Sequence, residues 1–442
     1  MNIPKDTPID YKTVKQKIRE SGLESISNAS IREIVKLVNE IEKATGEKYI
    51  RMEMGVPGLE PPKIAIDGEI KALQDGVASK YPMIEGVEEL KKEISKFIKN
   101  FTNIEVTPRS CIPTVGSMQG AFATFLVSCK RDHKKDTTLF IDPGFPVQKQ
   151  QHKVLGYKYK TFDVYSYRGD KLKAKLESYM KQGNISTILY SNPNNPSWIC
   201  FTEKELEIIG ELANKYDAVV LEDLAYFGMD FRKELSKPGE PPYQVSVANY
   251  TDNYILLISG SKSFSLAGER LGMMAISDKL FDRRFSKLKE YFPNEGFGYS
   301  IIYGALYTLS AGTNHSAQYG LLEILKAVNQ GKYDFVEDVK EYGERAKLMK
   351  RLLIQNGFKL VYEKDEDQPL ADGFYFTFSY PGLTGGELLE HLLFYGISAI
   401  TLDITGSERT EGLRACVSQT ERNQFDTLEE RLKKFHKDHN FR

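Results

Sequence analysis

The chain has 442 residues, enough for two or three domains. Sixty basic residues face 61 acidic ones, and this near-neutral charge gives no field to attract nucleic acid or an anionic membrane. Hydrophobic residues make up 41%, with 24 Phe and 25 Tyr, which excludes a disordered chain, and no apolar run reaches the roughly eighteen residues that span a bilayer.

The first fifty residues read as helical. Ser30 with Glu33 forms a capping-box pattern, followed by Ile31, Ile34, Val35, Val38 and Ile41 on one face. The N-terminus lacks the apolar segment of a secretory signal, so a cytoplasmic protein is expected. RMEMGVPGLEPPK (51–63) breaks the period with two Gly and three Pro and marks a domain boundary. From about 64 to 330, short apolar runs alternate with helical stretches. The expected strands are 137–142, 186–191, 218–223, 254–260 and 271–277. Their uninterrupted apolar character suits strands buried on both faces of a mostly parallel sheet. Helical patterns such as 204–216 and about 117–130 lie between them, so the fold class is α/β. After 333 the pattern changes. A long helix over 335–357 closes at Asn356-Gly357, 373–380 alternates like a half-exposed strand, 387–396 is a helix, 412–418 a strand, and a helix ends the chain. These elements suggest a smaller α+β domain. The expected division is 1–60 as an N-terminal segment joining the small domain, 61–332 as a large domain, and 333–442 as the small C-terminal domain.

Cys111, Cys129, Cys200 and Cys416 show no CxxC spacing, and six histidines form neither HExxH nor HxH. No metal site and no disulfide framework is expected, and reduced, mostly buried thiols are.

Ligands of open α/β sheets bind beyond the carboxyl ends of the strands. Polar clusters sit at those places: NPNNPSW (192–198), Glu222-Asp223 with Tyr226, SGSKSFSLAGERLG (259–272), and TVGSMQGA (114–121) ahead of a helix. Singly they are ordinary. Asn-Pro-Asn-Asn-Pro is commonly a turn, a strand-end Asp commonly a helix cap, and a single lysine commonly solvated. GSKS is not a P-loop, and no GxGxxG is present. Together they supply an amine, a carboxylate, a phenol, an amide, an arginine, and hydroxyls beside a helix start. Pyridoxal phosphate needs that set: a lysine for its Schiff base, an acid for its ring nitrogen, and donors for its phosphate.

With these motifs in this order, the chain from about Arg51 to Ser418 resembles the fold-type I pyridoxal phosphate enzymes, specifically the class I/II aminotransferases. The resemblance implies a large domain with a mostly parallel sheet between helices, and a smaller domain made from both chain ends. It also implies that Lys262 is the Schiff-base lysine and the proton carrier. Asp223 would partner the ring nitrogen, with Glu222 as its rival, and the spacing of three residues to Tyr226 selects Asp223. Tyr226 and Asn195 would bond the ring oxygen. Gly116, Ser117 and Met118, with Ser259 and Arg270, would cradle the phosphate. Phe145 would stack on the ring, or be a plain core residue. Tyr81 would reach the phosphate in the neighbouring subunit of a homodimer. Arg414 would grip the substrate α-carboxylate, and Gly55 would belong to a loop over the substrate or be a simple turn glycine.

The family usually continues Asn-Pro with Thr-Gly; here Asn195-Pro196 is followed by Ser197-Trp198, the only Trp of the chain. The expected placement of Trp198 is packing beneath the site rather than covering the sheet edge. The implied activity is transfer of an amino group from an amino acid to a 2-oxo acid in ping-pong order. A lyase, decarboxylase or synthase on the same scaffold, or a non-catalytic cofactor-binding regulator, are the alternatives.

Overall fold

The computed structural model describes residues 3–440 and divides them into two compact units. One comprises 59–194 and 200–339; the other combines the residues up to 58, the short segment 195–199, and 340 onward.

The larger unit is built on seven strands: β1 (Cys111–Thr114), β2 (Thr137–Asp142), β3 (Lys158–Asp163), β4 (Ile185–Ser191), β5 (Val219–Leu224), β6 (Tyr254–Ser259) and β7 (Gly272–Ile276). Their order across the sheet is β1-β7-β6-β5-β4-β2-β3. The run from β6 to β3 is parallel throughout, and β7 is antiparallel to both of its neighbours. Every residue of β2, β4, β5, β6 and β7 is buried, as sheet strands with both faces covered must be. Each such Leu, Ile or Val contributes about 1.5–3 kcal/mol through burial.

Both edge strands escape the sequence pattern, for opposite reasons. β1 contains Pro113, which a central strand excludes but an edge tolerates. β3, KYKTFD, exposes Lys158, Lys160 and Thr161, the polar dress of a protected edge.

Helix α1 (Gly116–Ser128) follows β1, α2 (Pro146–Leu155) follows β2, α3 (Glu203–Tyr216) precedes β5, and the four-residue α4 (Gly260–Ser263) follows β6. α3 starts on a capping box between Thr202 and Glu205. Glu205 is fully buried, and Arg168 holds both of its oxygens, at 2.7 and 2.8 Å.

In the smaller unit, helices Tyr11–Glu20 and Ile31–Thr45 precede a two-residue parallel pairing of Ile50–Arg51 with Ile397–Ser398. The second helix carries the Ser30–Glu33 capping box and seats Ile34, Val38 and Ile41 in the core. The pairing ties the N-terminal segment to the C-terminal one. Four strands, β8 (Lys359–Leu360), β9 (Tyr375–Ser379), β10 (Ile400–Thr401) and β11 (Leu413–Cys416), form an antiparallel sheet in the order β10-β11-β9-β8. The helix expected over 335–357 is two, Phe335–Val339 and Glu341–Gln355, interrupted at Lys340, where the chain passes from one unit to the other. The strand expected to be half-exposed is wholly buried along β9. Its alternation reflects two kinds of buried neighbour. Tyr375 and Thr377 share a face with Arg414 and Cys416 of β11, whereas Phe376 and Phe378 face the other way.

Candidate functional site

In the larger unit, the polar residues from Asn192 to Asn194, from Asp223 to Tyr226 and from Ser259 to Arg270 lie at or follow the carboxyl ends of β4, β5 and β6. Asp223 occupies the end of β5, opposite Ser191 of β4. It is 6% exposed, and its Oδ2 accepts a 3.0 Å hydrogen bond from the Gln148 amide of α2. Its other oxygen, Oδ1, is buried without a hydrogen bond of normal geometry. Burial pushes the carboxyl up to about 6, against the opposing pull of Gln148, the Ala225 backbone amide and the positive charge of Lys262.

Glu222 points to the opposite face of the strand. Its Oε2 accepts bonds from the Ser246 hydroxyl at 2.5 Å and the Val247 N–H at 3.2 Å, and full burial pushes its carboxyl up to about 7. The two adjacent carboxyls thus serve different neighbourhoods: Glu222 ties down the segment before β6, and Asp223 stands with Gln148 and Lys262.

Lys262 is half-buried in α4. Ser259 ends β6 and caps this short helix, its Oγ accepting the Ser261 N–H at 3.1 Å. Ser263 donates to the Phe227 carbonyl at 2.9 Å and so fastens the lysine segment to the loop that carries Tyr226. Tyr226 is 4% exposed.

The start of α1 converges with the arginine. Gly116 has φ +64°, and a Cβ there would stand 2.8 Å from Nη2 of Arg270. A Cβ on Gly272 would meet the Gly116 carbonyl carbon and the Ser117 nitrogen at 2.9 Å, so two backbones approach more closely than side chains allow. No side chain caps α1. Its first N–H groups therefore remain available to an anion, with the helix dipole behind them. Arg270 is exposed at its own surface and donates to the Ala267 carbonyl at 3.0 Å. Met118 turns its side chain outward, 39% exposed, leaving its backbone in the helix start. Phe145 is half-buried at the head of α2. Tyr81 is 95% exposed. A separate groove, lined by residues including Glu93, Lys96, Asn100 and Asp278, contains none of these residues.

In the smaller unit, Arg414 of β11 is 1% exposed. It donates to Asn195 Oδ1 at 3.4 Å and to the Glu53 carbonyl, and its guanidinium lies 4.6 Å from the Tyr375 ring centroid. Its Nε is buried without a hydrogen bond, and no carboxylate of a described residue pairs with it. The Glu53 carboxylate is engaged elsewhere, by Arg51 and by the Ser398 hydroxyl at 2.6 Å. Gly55 packs against the same tyrosine: a Cβ there would lie 1.9 Å from the Tyr375 hydroxyl oxygen. Asn195, Arg414 and, through Tyr375, Gly55 are thus brought together.

Gln148, Tyr375 and the Glu53 carbonyl went unread in the sequence. Gln148 lies in an unremarkable helical start, and Tyr375 reads as one aromatic of an alternating strand. Among the described residues, no group of three metal-ligating side chains occurs, and no helix is long and apolar enough to cross a membrane.

Comparison with known proteins identifies a family and a fold. The family profile described as aminotransferase class I and II matches residues 47–432. A probable aspartate aminotransferase of Methanocaldococcus jannaschii is 25% identical over 358 residues, covering 81% of this chain and 83% of its own. The solved structure of an alanine aminotransferase from Pyrococcus furiosus aligns with a TM-score of 0.75 at 21% identity, over 93% of this chain and 98% of its own. A double mutant of the Thermus thermophilus aspartate aminotransferase aligns with a TM-score of 0.74 at 17% identity, over 96% and 98%.

Proposed function

We propose a division of labour for this chain, which belongs to the aminotransferase class I and II family and is a pyridoxal phosphate-dependent aminotransferase: Lys262 holds the cofactor, Asp223 answers its ring nitrogen, and Arg414 binds the substrate carboxylate. The observation that carries this reading is Asp223, a buried carboxylate with one oxygen left over, in the field of Lys262. A buried carboxyl with a raised pKa is stabilised as an anion by a cationic neighbour, so it holds a proton on a ring nitrogen placed against it.

The residues fit the group. The uncapped start of α1, the side-chain-free Gly116 and Arg270 beside it suit a phosphate dianion. Ser259 adds a hydroxyl three residues before the lysine. Tyr226, held by the loop that Ser263 fastens, is proposed for the ring oxygen, together with Asn195. Phe145 is proposed for the ring face. Bound pyridoxal phosphate supplies an electron sink for charge developing at the substrate α-carbon. Lys262, released from the cofactor when the substrate amine takes its place, would carry the substrate α-proton on Nζ.

Arg414 is a buried cation without a carboxylate, which is costly unless an anion completes it. A substrate α-carboxylate does so in the bidentate manner that guanidinium favours. An amino acid leaves as its 2-oxo acid, and a second 2-oxo acid takes up the amino group, in ping-pong order. The exposed Tyr81 and Met83, with Ile70 and Leu73 on the preceding helix, support a homodimer in which Tyr81 serves the neighbouring site. Four buried thiols support a reducing, cytoplasmic setting.

The test is a visible spectrum of the purified holoenzyme during addition of single amino acids without any 2-oxo acid. The cofactor's visible band bleaches with at least one amino acid, and Lys262→Ala neither bleaches nor turns over. Full turnover by Lys262→Ala would overturn the assignment.

A further inference from the structure

Trp198 stands where the family's glycine is usual, and its surroundings give it work. The indole is 1% exposed, and its residue sits at φ +65°. A non-glycine residue in that left-handed region costs on the order of 1 kcal/mol, so its packing must outweigh the backbone strain. That packing is built around it. A Cβ on Gly373 would lie 2.1 Å from the indole Cε2 and 2.2 Å from Cζ2 and Nε1, so residue 373 has room only for glycine. The indole meets the Tyr375 ring edge-on, with centroids 6.2 Å apart and planes at 68°. Tyr375 in turn carries the Arg414 guanidinium over its face, 4.6 Å from the centroid. The strand register makes this chain of contacts possible. Tyr375 pairs with Cys416 and Thr377 with Arg414, so Tyr375 and Arg414 are diagonal neighbours on one face of the β9–β11 pair.

We infer that Trp198 is a positioning residue: it fixes the ring of Tyr375 under Arg414 and thereby sets how well the guanidinium is aimed at a carboxylate. The inference rests on the reading of Arg414 as the carboxylate anchor and adds the device that aims it. Arg414 has few other constraints. It has one 3.4 Å bond to Asn195, one to a backbone carbonyl, and an Nε with none. Face contact with Tyr375 restrains its plane further, through cation–π attraction and stacking. Gly55 packs against the Tyr375 hydroxyl, the Phe374 ring meets it at 5.1 Å between centroids, and the indole holds its edge at 6.2 Å. Removing the indole takes away the edge contact and loosens the ring. The expected loss falls on ground-state carboxylate binding, because the groups that move the proton are untouched.

The test uses holoenzyme of the wild type, Trp198→Gly, Trp198→Phe and Arg414→Lys. Single-turnover bleaching of the visible band is followed against the concentration of the amino acid that bleaches the wild type most strongly. Trp198→Gly, which suits the positive φ, raises the apparent Kd by about tenfold and changes the limiting rate by less than about threefold. Trp198→Phe restores part of the affinity. If Arg414→Lys raises the Kd by about tenfold or more but Trp198→Gly stays within about twofold of wild type, or loses limiting rate instead, the inference is overturned and the anchor reading stands. If Arg414→Lys leaves the Kd unchanged, the anchor reading itself fails, and the inference with it.

A second measurement decides the matter should Trp198→Gly fail to fold. Trp198 is the sole tryptophan, so its emission reports this one position. Titration of wild type with acetate at constant ionic strength changes the emission saturably, acetamide does not, and Arg414→Lys abolishes the acetate response. Identical emission with acetate and acetamide in the wild type would refute the coupling of Trp198 to Arg414.

Discussion

Gly116 and Arg270 occupy adjoining space: the first methyl group that any other residue brought to position 116 would stand 2.8 Å from the guanidinium Nη2. A glycine at the first residue of a helix, at positive φ, is there for its neighbour as much as for its backbone.

Gly116→Ala therefore has two effects. It strains the backbone by about 1 kcal/mol, and it pushes the exposed end of Arg270 off the helix start. The cofactor phosphate loses both its close backbone approach and one cation. The expected result is cofactor affinity lowered by about tenfold or more, read by spectrophotometric titration of the cofactor-free protein with pyridoxal phosphate. An unchanged affinity would mean that the phosphate is held elsewhere.

Asp223→Asn keeps the shape and the bond to Gln148 but removes the negative charge. Cofactor binding is expected to survive while the amino-acid half-reaction slows by on the order of a hundredfold or more. The half-reaction is measured in a single turnover, so product release does not mask the loss. Glu222→Gln, on the other face of the strand, leaves that rate within about threefold of wild type, because it holds the 246–247 segment and not the site. Equal losses in the two variants would contradict the separation of the two carboxyls.

Glu222 also has a pH signature. Its folded pKa is raised from 4.5 to about 7 by burial. Its stabilising contribution is complete below the unfolded pKa and lost as pH rises through about 7. Thermal unfolding of the wild type should therefore shift downward between pH 5.5 and pH 8, and Glu222→Gln should flatten that shift by about 3 °C or more. Asp223, raised to about 6, acts in the same direction and leaves a residual slope in the variant.

The smaller unit has the opposite dependence. His391 and His439 are buried with Nδ1 and Nε2 2.9 Å apart, and His439 stacks on Phe435 at 4.0 Å. Desolvation, then the neighbouring His439, hold the His391 pKa down to about 4. A base with a depressed folded pKa stabilises the fold above its unfolded value of 6.5 and loses that stabilisation as pH falls toward about 4. Acid unfolding followed between pH 6.5 and pH 4 should be less steep in His391→Gln than in the wild type. An identical slope would assign the acid sensitivity to carboxylates alone.

Much of this was legible in the residues. Five central strands were readable because burial on both faces demands unbroken apolar runs, and the SGSKSFSLAGERLG and EDLAY segments stood at strand ends. The edge strands were not, since Pro113 and the lysines of β3 are what an edge permits and a core forbids. β9 was misread because period-two alternation means two unlike faces, not one wet face; here the polar face is turned to Arg414. Gln148 and Tyr375 were invisible for a different reason. Their importance lies in what they touch, Asp223 and Arg414, and contact across some 40 to 75 positions leaves no local trace.

The four buried cysteines have an experimental consequence. Burial raises the Cys111 thiol well above its ordinary range and the Cys129 thiol in the same direction, which disfavours thiolate while the chain is folded. Cys111, Cys129 and Cys200 lie in the larger unit and Cys416 in the smaller. Alkylation must await opening of the surrounding structure, and mass mapping of the labelled positions times the two units separately. The native thiols are thus a built-in clock, and a lag between Cys416 and the other three would measure how cooperatively the chain comes apart.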